Sequence, residues 1–183
     1  LATPSVDRLL TGCACRQSRD TIRCMEKTNA MRQLERAGIQ FRTIEYEVDE
    51  ADLSVENTAR KLGMAPETVF KTIIVRGDRT GPLFALIPGG AVLDEKLLAS
   101  ASGNKRVDVV PLKDVHDLTG YIRGAVTVLA AKKAYAVYID ETAELWETVG
   151  ISGGRRGLEI VLSPADLIRI SEGRLADIAR PAP

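Results

Sequence analysis

The sequence predicts an α/β protein of the α+β type, with a mixed, partly closed β-barrel-like sheet surrounded by helices. Short β-branched segments alternate with amphipathic helical segments along the 183 residues. Several connections between the predicted strands are as short as hairpins, which favours a mixed sheet over a doubly wound parallel one. The strongest strand signal, at 69–75, combines β-branched and aromatic residues with a single charge, Lys71.

The helical segments are indicated by apolar spacing and by capping residues. Apolar residues predict a first helix from Thr28 that ends at Gly38, and Ser54 predicts the start of a second that ends at Gly63. Further helical segments are expected to begin at Pro66, Asp94, Pro111, Glu141 and Ser163.

Alternating or β-branched runs predict the strands, which are expected at 41–48, 69–75, 83–87, 134–139, 149–151 and 158–162. The glycine-bounded turn at 77–81 indicates that the second and third of these strands form a hairpin.

The first 26 residues differ from the rest of the chain. They show no sustained helical or strand periodicity, and they contain all three cysteines, Cys13, Cys15 and Cys24. We interpret residues 1–26 as a loosely ordered N-terminal leader and residues 27–183 as one domain, which is long enough for a full hydrophobic core.

Composition limits the classes of partner. Lysine plus arginine and aspartate plus glutamate both number 25, so the formal net charge is zero and any RNA contact requires a local patch. No apolar run approaches the roughly 18 residues of a membrane span, and the N-terminus lacks a signal-peptide pattern. We therefore expect a cytoplasmic protein that does not engage a membrane.

Several kinds of catalytic apparatus are not indicated by the sequence. The Cys13–Cys15 pair has no second close-spaced pair and one histidine in the chain, His116, so no metal site is expected. There is no Gly-x-Ser-x-Gly motif, and the glycine pairs do not complete a phosphate or dinucleotide loop. We expect no cofactor.

What remains is a charged residue in a strand and two glycine-rich loops. Alternation places Lys71 on one strand face with Ile73 and Val75, so its ammonium must reach water, pair with a carboxylate, or meet a ligand. The loop at 152–157 contains three glycines and two arginines, which suits an oxyanion or phosphate. A tight β-turn with solvated arginines is the alternative, and the same two readings apply to 119–124.

Four motifs, in a fixed order along the chain, indicate a specific family resemblance. These motifs are Val-Phe-Lys-Thr at 69–72, Thr-Gly-Tyr at 119–121 with Gly124, Ser-Gly-Gly-Arg-Arg-Gly-Leu-Glu at 152–159, and Leu-Ala-Asp-Ile-Ala at 175–179. Together they resemble the YbaK/EbsC family, which are freestanding relatives of the editing domain of bacterial prolyl-tRNA synthetases. The similarity runs from about Lys27 to Arg180.

This resemblance implies a trans-editing aminoacyl-tRNA deacylase that hydrolyses the ester of mischarged tRNA, with Cys-tRNA(Pro) or Ala-tRNA(Pro) as the expected substrate. The implied partners are the acceptor end of mischarged tRNA and prolyl-tRNA synthetase. The implied catalytic residues are Lys71, Gly124, Ser152, Gly153 and Gly154. The implied substrate-binding residues are Tyr46, Thr72, Tyr121, Arg123, Thr127, Arg155 and Glu159.

One motif departs from the family. Where relatives often have Gly-Gly-x-Ser-Pro, this chain reads Gly124-Ala125-Val126-Thr127-Val128. Because of this departure, an alternative function is open, in which the pocket loop is degenerate. The chain would then be a non-catalytic tRNA- or nucleotide-binding module, or a partner of prolyl-tRNA synthetase.

The expected chemistry needs no side-chain nucleophile, because an aminoacyl ester is already activated. A pocket that holds the ester, directs N–H donors at the developing oxyanion and admits one water suffices, since one oxyanion donor contributes on the order of 10²–10³ in rate. Lys71 is expected to bind the terminal phosphate or to polarise the carbonyl.

Overall fold

The computed structural model describes residues 26–182. The predicted leader with its cysteines therefore lies almost wholly outside the described residues, and its loose order stays a prediction. Among the described residues, no helix combines the length and the apolar character that crossing a bilayer requires.

The helices begin and end near the predicted caps. They are α1 (Asn29–Arg36), α2 (Val55–Leu62), α3 (Glu95–Ala101), α4 (Leu112–Thr119) and α5 (Pro164–Ser171), with 3₁₀ turns at Pro66–Thr68 and Glu141–Leu145. The Ser54 hydroxyl accepts a hydrogen bond from the Asn57 N–H, and Gly63 ends α2 in the left-handed conformation. The predicted helix starts are confirmed.

Ten strands are present in the described residues. They are β1 (Phe41–Glu45), β2 (Val69–Gly77), β3 (Gly81–Pro88), β4 (Ala91–Leu93), β5 (Val107–Val109), β6 (Ala136–Asp140), β7 (Val149–Ser152), β8 (Leu158–Leu162), β9 (Arg174–Ala176) and β10 (Ala179–Pro181). The sequence did not predict β4, β5, β9 and β10, because three residues are too few to show a period. The predicted strand 41–48 is shorter than expected and ends at Glu45.

The predicted mixed sheet is confirmed. Its strands follow the order β1-β8-β7-β2-β3-β6-β9, with β5 added beside β2, and β10 pairs with β4 in a second, two-stranded sheet. The β2–β3 hairpin is antiparallel, whereas β2–β7, β3–β6 and β6–β9 are parallel.

Apolar clusters cover both faces of the sheet, and β3 is buried between them. Phe84 and Leu86 point into one cluster, which also contains buried residues of α1, α4 and α5. Leu83, Ala85 and Ile87 point into the other, which contains residues of α3. Because β3 is anchored on both faces, its hairpin partner β2 is held in a fixed position.

The second edge of β2 is interrupted. One edge pairs with β3 from Phe70 to Gly77. On the other edge, β7 pairs with Val69 and Phe70, and β5 pairs with Val75 to Gly77. Among the described residues, no strand therefore lies beside residues 71–73 on this edge. This interruption positions the site described below.

Asn104 fixes the far end of the β2–β3 hairpin. Its buried Oδ1 accepts hydrogen bonds from the N–H groups of Arg79 at 2.9 Å and Thr80 at 3.0 Å. Its Nδ2 donates to the hydroxyls of Thr80 and Ser102, each at 2.8 Å.

We expect Asn104→Ala to lower the free energy of unfolding by about 2–4 kcal/mol, because it leaves several donors and acceptors unpaired at a part-buried turn. Urea denaturation measures the loss. The exposed Asn29→Ala in α1 serves as the control, with an expected change within about 0.5 kcal/mol. Equal losses in the two variants would show that Asn104 does not anchor the hairpin.

Candidate active site

A cavity of about 480 Å³ lies where β2 is unpaired. Its walls come from β2, α2, the β5–α4 junction, the loop after α4, and the β7–β8 turn, and its volume is in the range of small-molecule sites. Seven of the predicted site residues line it, namely Tyr46, Lys71, Thr72, Arg123, Gly124, Ser152 and Glu159. Their roles toward a substrate stay predictions.

The ammonium of Lys71 is held in the cavity wall. Lys71 is part-buried, and Nζ donates a hydrogen bond to the Ala91 carbonyl at 2.6 Å, in β4. The nearby Glu56 carboxylate accepts a hydrogen bond from the Gly90 N–H at 2.8 Å. Backbone hydrogen bonds lower the pKa of Glu56, and the positive charge of Lys71 lowers it further. The cation is therefore oriented by a carbonyl of β4, and its charge acts on a carboxylate of α2.

Thr72 presents an unsatisfied hydroxyl at the same place. Its Oγ1 is buried and has no hydrogen-bond partner. Among the described residues, every other buried side-chain nitrogen or oxygen has one. A buried polar group without a partner costs stability, so such a group requires an explanation.

The carboxyl group of Glu159 lies in the cavity wall and is largely neutral at pH 7. Its side chain is 4% exposed, and burial raises the pKa of this carboxyl to about 8. The carboxyl lies beside Gly150, where a Cβ would come 3.4 Å from Oε1. No ion pair joins it to another described residue.

Tyr46 closes the cavity next to Glu159. The backbone N–H of Tyr46 donates to the Gly157 carbonyl at 3.0 Å, which fixes the chain where β1 ends. Burial raises the pKa of the Tyr46 phenol, and the charge of the Glu159 carboxylate raises it further. The phenol therefore stays protonated and can donate a hydrogen bond.

Two of the three glycines of the β7–β8 turn, Gly153 and Gly154, do not line the cavity, whereas Gly157 does. The Gly153 N–H donates to the Leu158 carbonyl at 2.9 Å, and the Gly154 N–H lies 3.4 Å from the Ser152 hydroxyl that accepts it. Both amides thus have acceptors within the turn, and their role toward an oxyanion stays a prediction. A Cβ on Gly153 would lie 2.7 Å from Leu158 Cγ, so this glycine allows close packing.

Three other predicted residues also lie outside the cavity lining. The Tyr121 hydroxyl donates to the Leu129 carbonyl at 2.8 Å, and Thr127 is fully buried. Arg155 forms an ion pair with Glu45. They connect loops to the core and to β1, so they support the walls of the cavity.

Arg123 is the cation best placed to meet a ligand at the mouth. The guanidinium of Arg156 is already bound within the protein, because its Nε donates to the Arg123 carbonyl at 2.9 Å and its Nη1 lies 3.3 Å from Glu50. The guanidinium of Arg123 is exposed, lines the cavity, and makes no ion pair with another described residue.

The sequence analysis missed Glu56 and two exposed apolar residues of the lining, Val109 and Leu112. None has a local signal, because each reaches the cavity through tertiary packing. In the part of the chain that the structure describes, no group of three histidine, cysteine or acidic residues could hold a metal ion.

Because burial raises the pKa of Glu159 to about 8, the folded state keeps a proton that the unfolded state has released. We therefore expect the free energy of unfolding to fall as pH rises from about 5 to about 8, by up to about 1.4 kcal/mol per pH unit from this group.

Urea denaturation across this pH range measures the slope, and Glu159→Gln is expected to remove this contribution. Exposed Glu95→Gln in α3 is the control and should keep the wild-type slope. If the Glu159→Gln variant also kept that slope, Glu159 would not be the buried acid that controls it.

Comparison with known proteins shows the family of this chain. The family model described as "Aminoacyl-tRNA editing domain" matches residues 49–170. EbsC of Enterococcus faecalis, named as a candidate Cys-tRNA(Pro)/Cys-tRNA(Cys) deacylase, is 40% identical over 153 residues, covering 84% of this chain and 93% of EbsC. The uncharacterised protein YwhH of Bacillus subtilis is 26% identical, covering 68% of this chain and 79% of YwhH.

A solved structure shows the same fold. It is a candidate trans-editing enzyme for prolyl-tRNA synthetase, with a TM-score of 0.74 and 20% identity, covering 83% of this chain and 95% of that one. The fold and the family predicted from the motifs are confirmed, and with them the assignment to aminoacyl-tRNA editing hydrolases. The chain belongs to the aminoacyl-tRNA editing domain family.

Proposed function

We propose that this chain is a trans-editing deacylase that hydrolyses the ester between a wrong amino acid and the 3′ end of tRNA. The observation that carries the proposal is one cavity that combines the held ammonium of Lys71, the unpartnered hydroxyl of Thr72 and the neutral carboxyl of Glu159. Donors and a proton-holding acid around a small cavity suit an activated ester better than a substrate that needs a nucleophile.

The proposed substrate is Cys-tRNA(Pro), with Ala-tRNA(Pro) as the second choice. The name of EbsC includes Cys-tRNA(Pro), and EbsC is 40% identical to this chain over nearly its whole length. A cavity of about 480 Å³ has room for a terminal nucleoside and a small side chain. In the reaction, water adds to the acyl carbon, the ester C–O bond breaks, and the tRNA hydroxyl leaves with a proton.

Glu159 is proposed to recognise the α-ammonium of the aminoacyl group. A cation that binds beside a neutral buried carboxyl lowers its pKa, so Glu159 releases its proton and pairs with the ammonium. The same wall is unfavourable for an acyl group without a charged amine. Lys71, whose Nζ is held by the Ala91 carbonyl, provides positive charge for the terminal phosphate or the ester carbonyl.

The altered pocket loop does not block the cavity, which favours the enzyme over a non-catalytic module. Ala125 replaces the family's second glycine, but it is 2% exposed and is absent from the cavity lining. Its Cβ therefore packs inward. Gly124, which does line the cavity, keeps the positive φ of 81° that favours glycine.

Binding of tRNA is proposed to rest on few phosphate contacts. The chain has no net charge, and Arg155 and Arg156 are engaged by carboxylates, which leaves Arg123 at the mouth. A complex with prolyl-tRNA synthetase and a cytoplasmic location, where charged tRNA is used, remain parts of this proposal.

Lys71→Ala is expected to slow single-turnover release of cysteine from Cys-tRNA(Pro) by at least about tenfold, because the cation that orients the substrate is lost. The fold should be retained, as judged by circular dichroism. Lys96→Ala, an exposed position on α3 outside the cavity, is the matched control. Unchanged turnover in Lys71→Ala would remove this residue from the mechanism.

Glu159→Gln is expected to lower kcat/KM by about 10–100-fold for Cys-tRNA(Pro), because a charge-assisted hydrogen bond to the α-ammonium is lost. With N-acetyl-Cys-tRNA(Pro), which has no ammonium, the wild type and the variant should differ little. An equal loss on both substrates would contradict recognition of the amine by Glu159.

A further inference from the structure

The unpaired edge of β2 exposes backbone groups to the cavity. In the antiparallel β2–β3 pair, the Val69 carbonyl accepts a hydrogen bond from the Gly89 N–H at 2.9 Å. Since hydrogen bonding alternates along such a pair, the odd-numbered residues of β2 bond to β3 and the even-numbered ones turn to the second edge. The Ile74 carbonyl, which accepts from the Val110 N–H at 3.0 Å on that edge, agrees with this assignment.

Thr72 is the even-numbered residue that falls in the interruption. Parallel pairing with β7 stops at Phe70, and antiparallel pairing with β5 begins at Val75. The backbone N–H of Thr72 therefore points into the space between β7 and β5, where no described strand is in register with it. In the middle of an eight-stranded sheet, an amide without a strand partner is unusual.

The side chain of the same residue adds a second free group. Thr72 lines the cavity, and its buried hydroxyl has no partner. By contrast, the amides of Gly153 and Gly154 are used within the β7–β8 turn. These two turn amides are therefore not available to a ligand, whereas Thr72 lines the cavity with a hydroxyl that has no partner.

We infer that Thr72 forms a two-donor subsite for the acyl carbonyl oxygen of the substrate, through its backbone N–H and its hydroxyl. This inference rests on the proposed function and specifies where the ester lies, along the bare edge of β2 between β7 and β5. Two donors on one residue suit an oxygen that gains negative charge, and donors held by a rigid strand need little reorganisation during the reaction.

Amide hydrogen exchange followed by NMR tests the backbone donor in the whole chain. The probe is 3′-(L-cysteinylamino)-3′-deoxyadenosine, in which an amide replaces the ester and prevents hydrolysis. Saturating probe is expected to slow exchange at the Thr72 N–H by roughly tenfold or more. The N–H groups of Ile73, which bonds to β3, and Arg76, which pairs with β5, are internal controls that should change little.

The comparison compound is 3′-amino-3′-deoxyadenosine, which lacks the acyl carbonyl and should not protect Thr72. If the aminoacyl probe shifts cavity resonances such as those of Gly124 but leaves Thr72 exchange unchanged, the Thr72 subsite is overturned and the proposed function stands. If the probe does not bind and Cys-tRNA(Pro) is not hydrolysed, both are overturned.

Thr72→Val tests the hydroxyl. It is expected to lower kcat by about 10²-fold and to raise Tm by about 2–4 °C, because a buried unpaired hydroxyl is replaced by a methyl group. Thr72→Ser keeps the hydroxyl and should lose far less activity. Unchanged kcat in Thr72→Val, or a joint fall of kcat and Tm, would overturn the role of the hydroxyl, since a purely structural group would not separate the two.

Discussion

The interruption on the second edge of β2 is the constraint on which the site depends. Two short strand pairings occupy the ends of that edge, while β3 holds the other edge along its length. The strand stays rigid because its hairpin partner is buried on both faces. A cavity at such a gap can expose backbone donors without loosening the sheet. Elsewhere in the fold, leaving buried backbone donors unpaired would cost stability.

The ionisable groups around this gap suit the charged, activated ester of the proposed function. Lys71 is oriented by a carbonyl of β4, and its charge reaches Glu56. Glu159 is buried, and burial raises the pKa of its carboxyl to about 8. In the proposed function, a substrate with an ammonium and an ester carbonyl meets complementary groups on both residues. A zero net charge is compatible with this function, because recognition is concentrated in the cavity.

Much of this architecture was predictable from local signals. The caps at Ser54 and Gly63, and the β-branched run that contains Lys71 and Thr72, placed α2 and β2 correctly. The short strands β4 and β5 gave no periodic signal, yet β4 holds the Lys71 ammonium and β5 bounds the gap. The glycines at 153 and 154 fitted either an anion-binding loop or a tight turn, and composition could not show that their amides are used within the turn.

The most direct test of the account is the rate at which the purified chain releases cysteine from Cys-tRNA(Pro), compared with buffer alone and with Pro-tRNA(Pro). The account predicts rapid hydrolysis of the mischarged tRNA and little effect on the correctly charged one. Release of cysteine at the spontaneous rate, from a chain that is folded by circular dichroism, would contradict it.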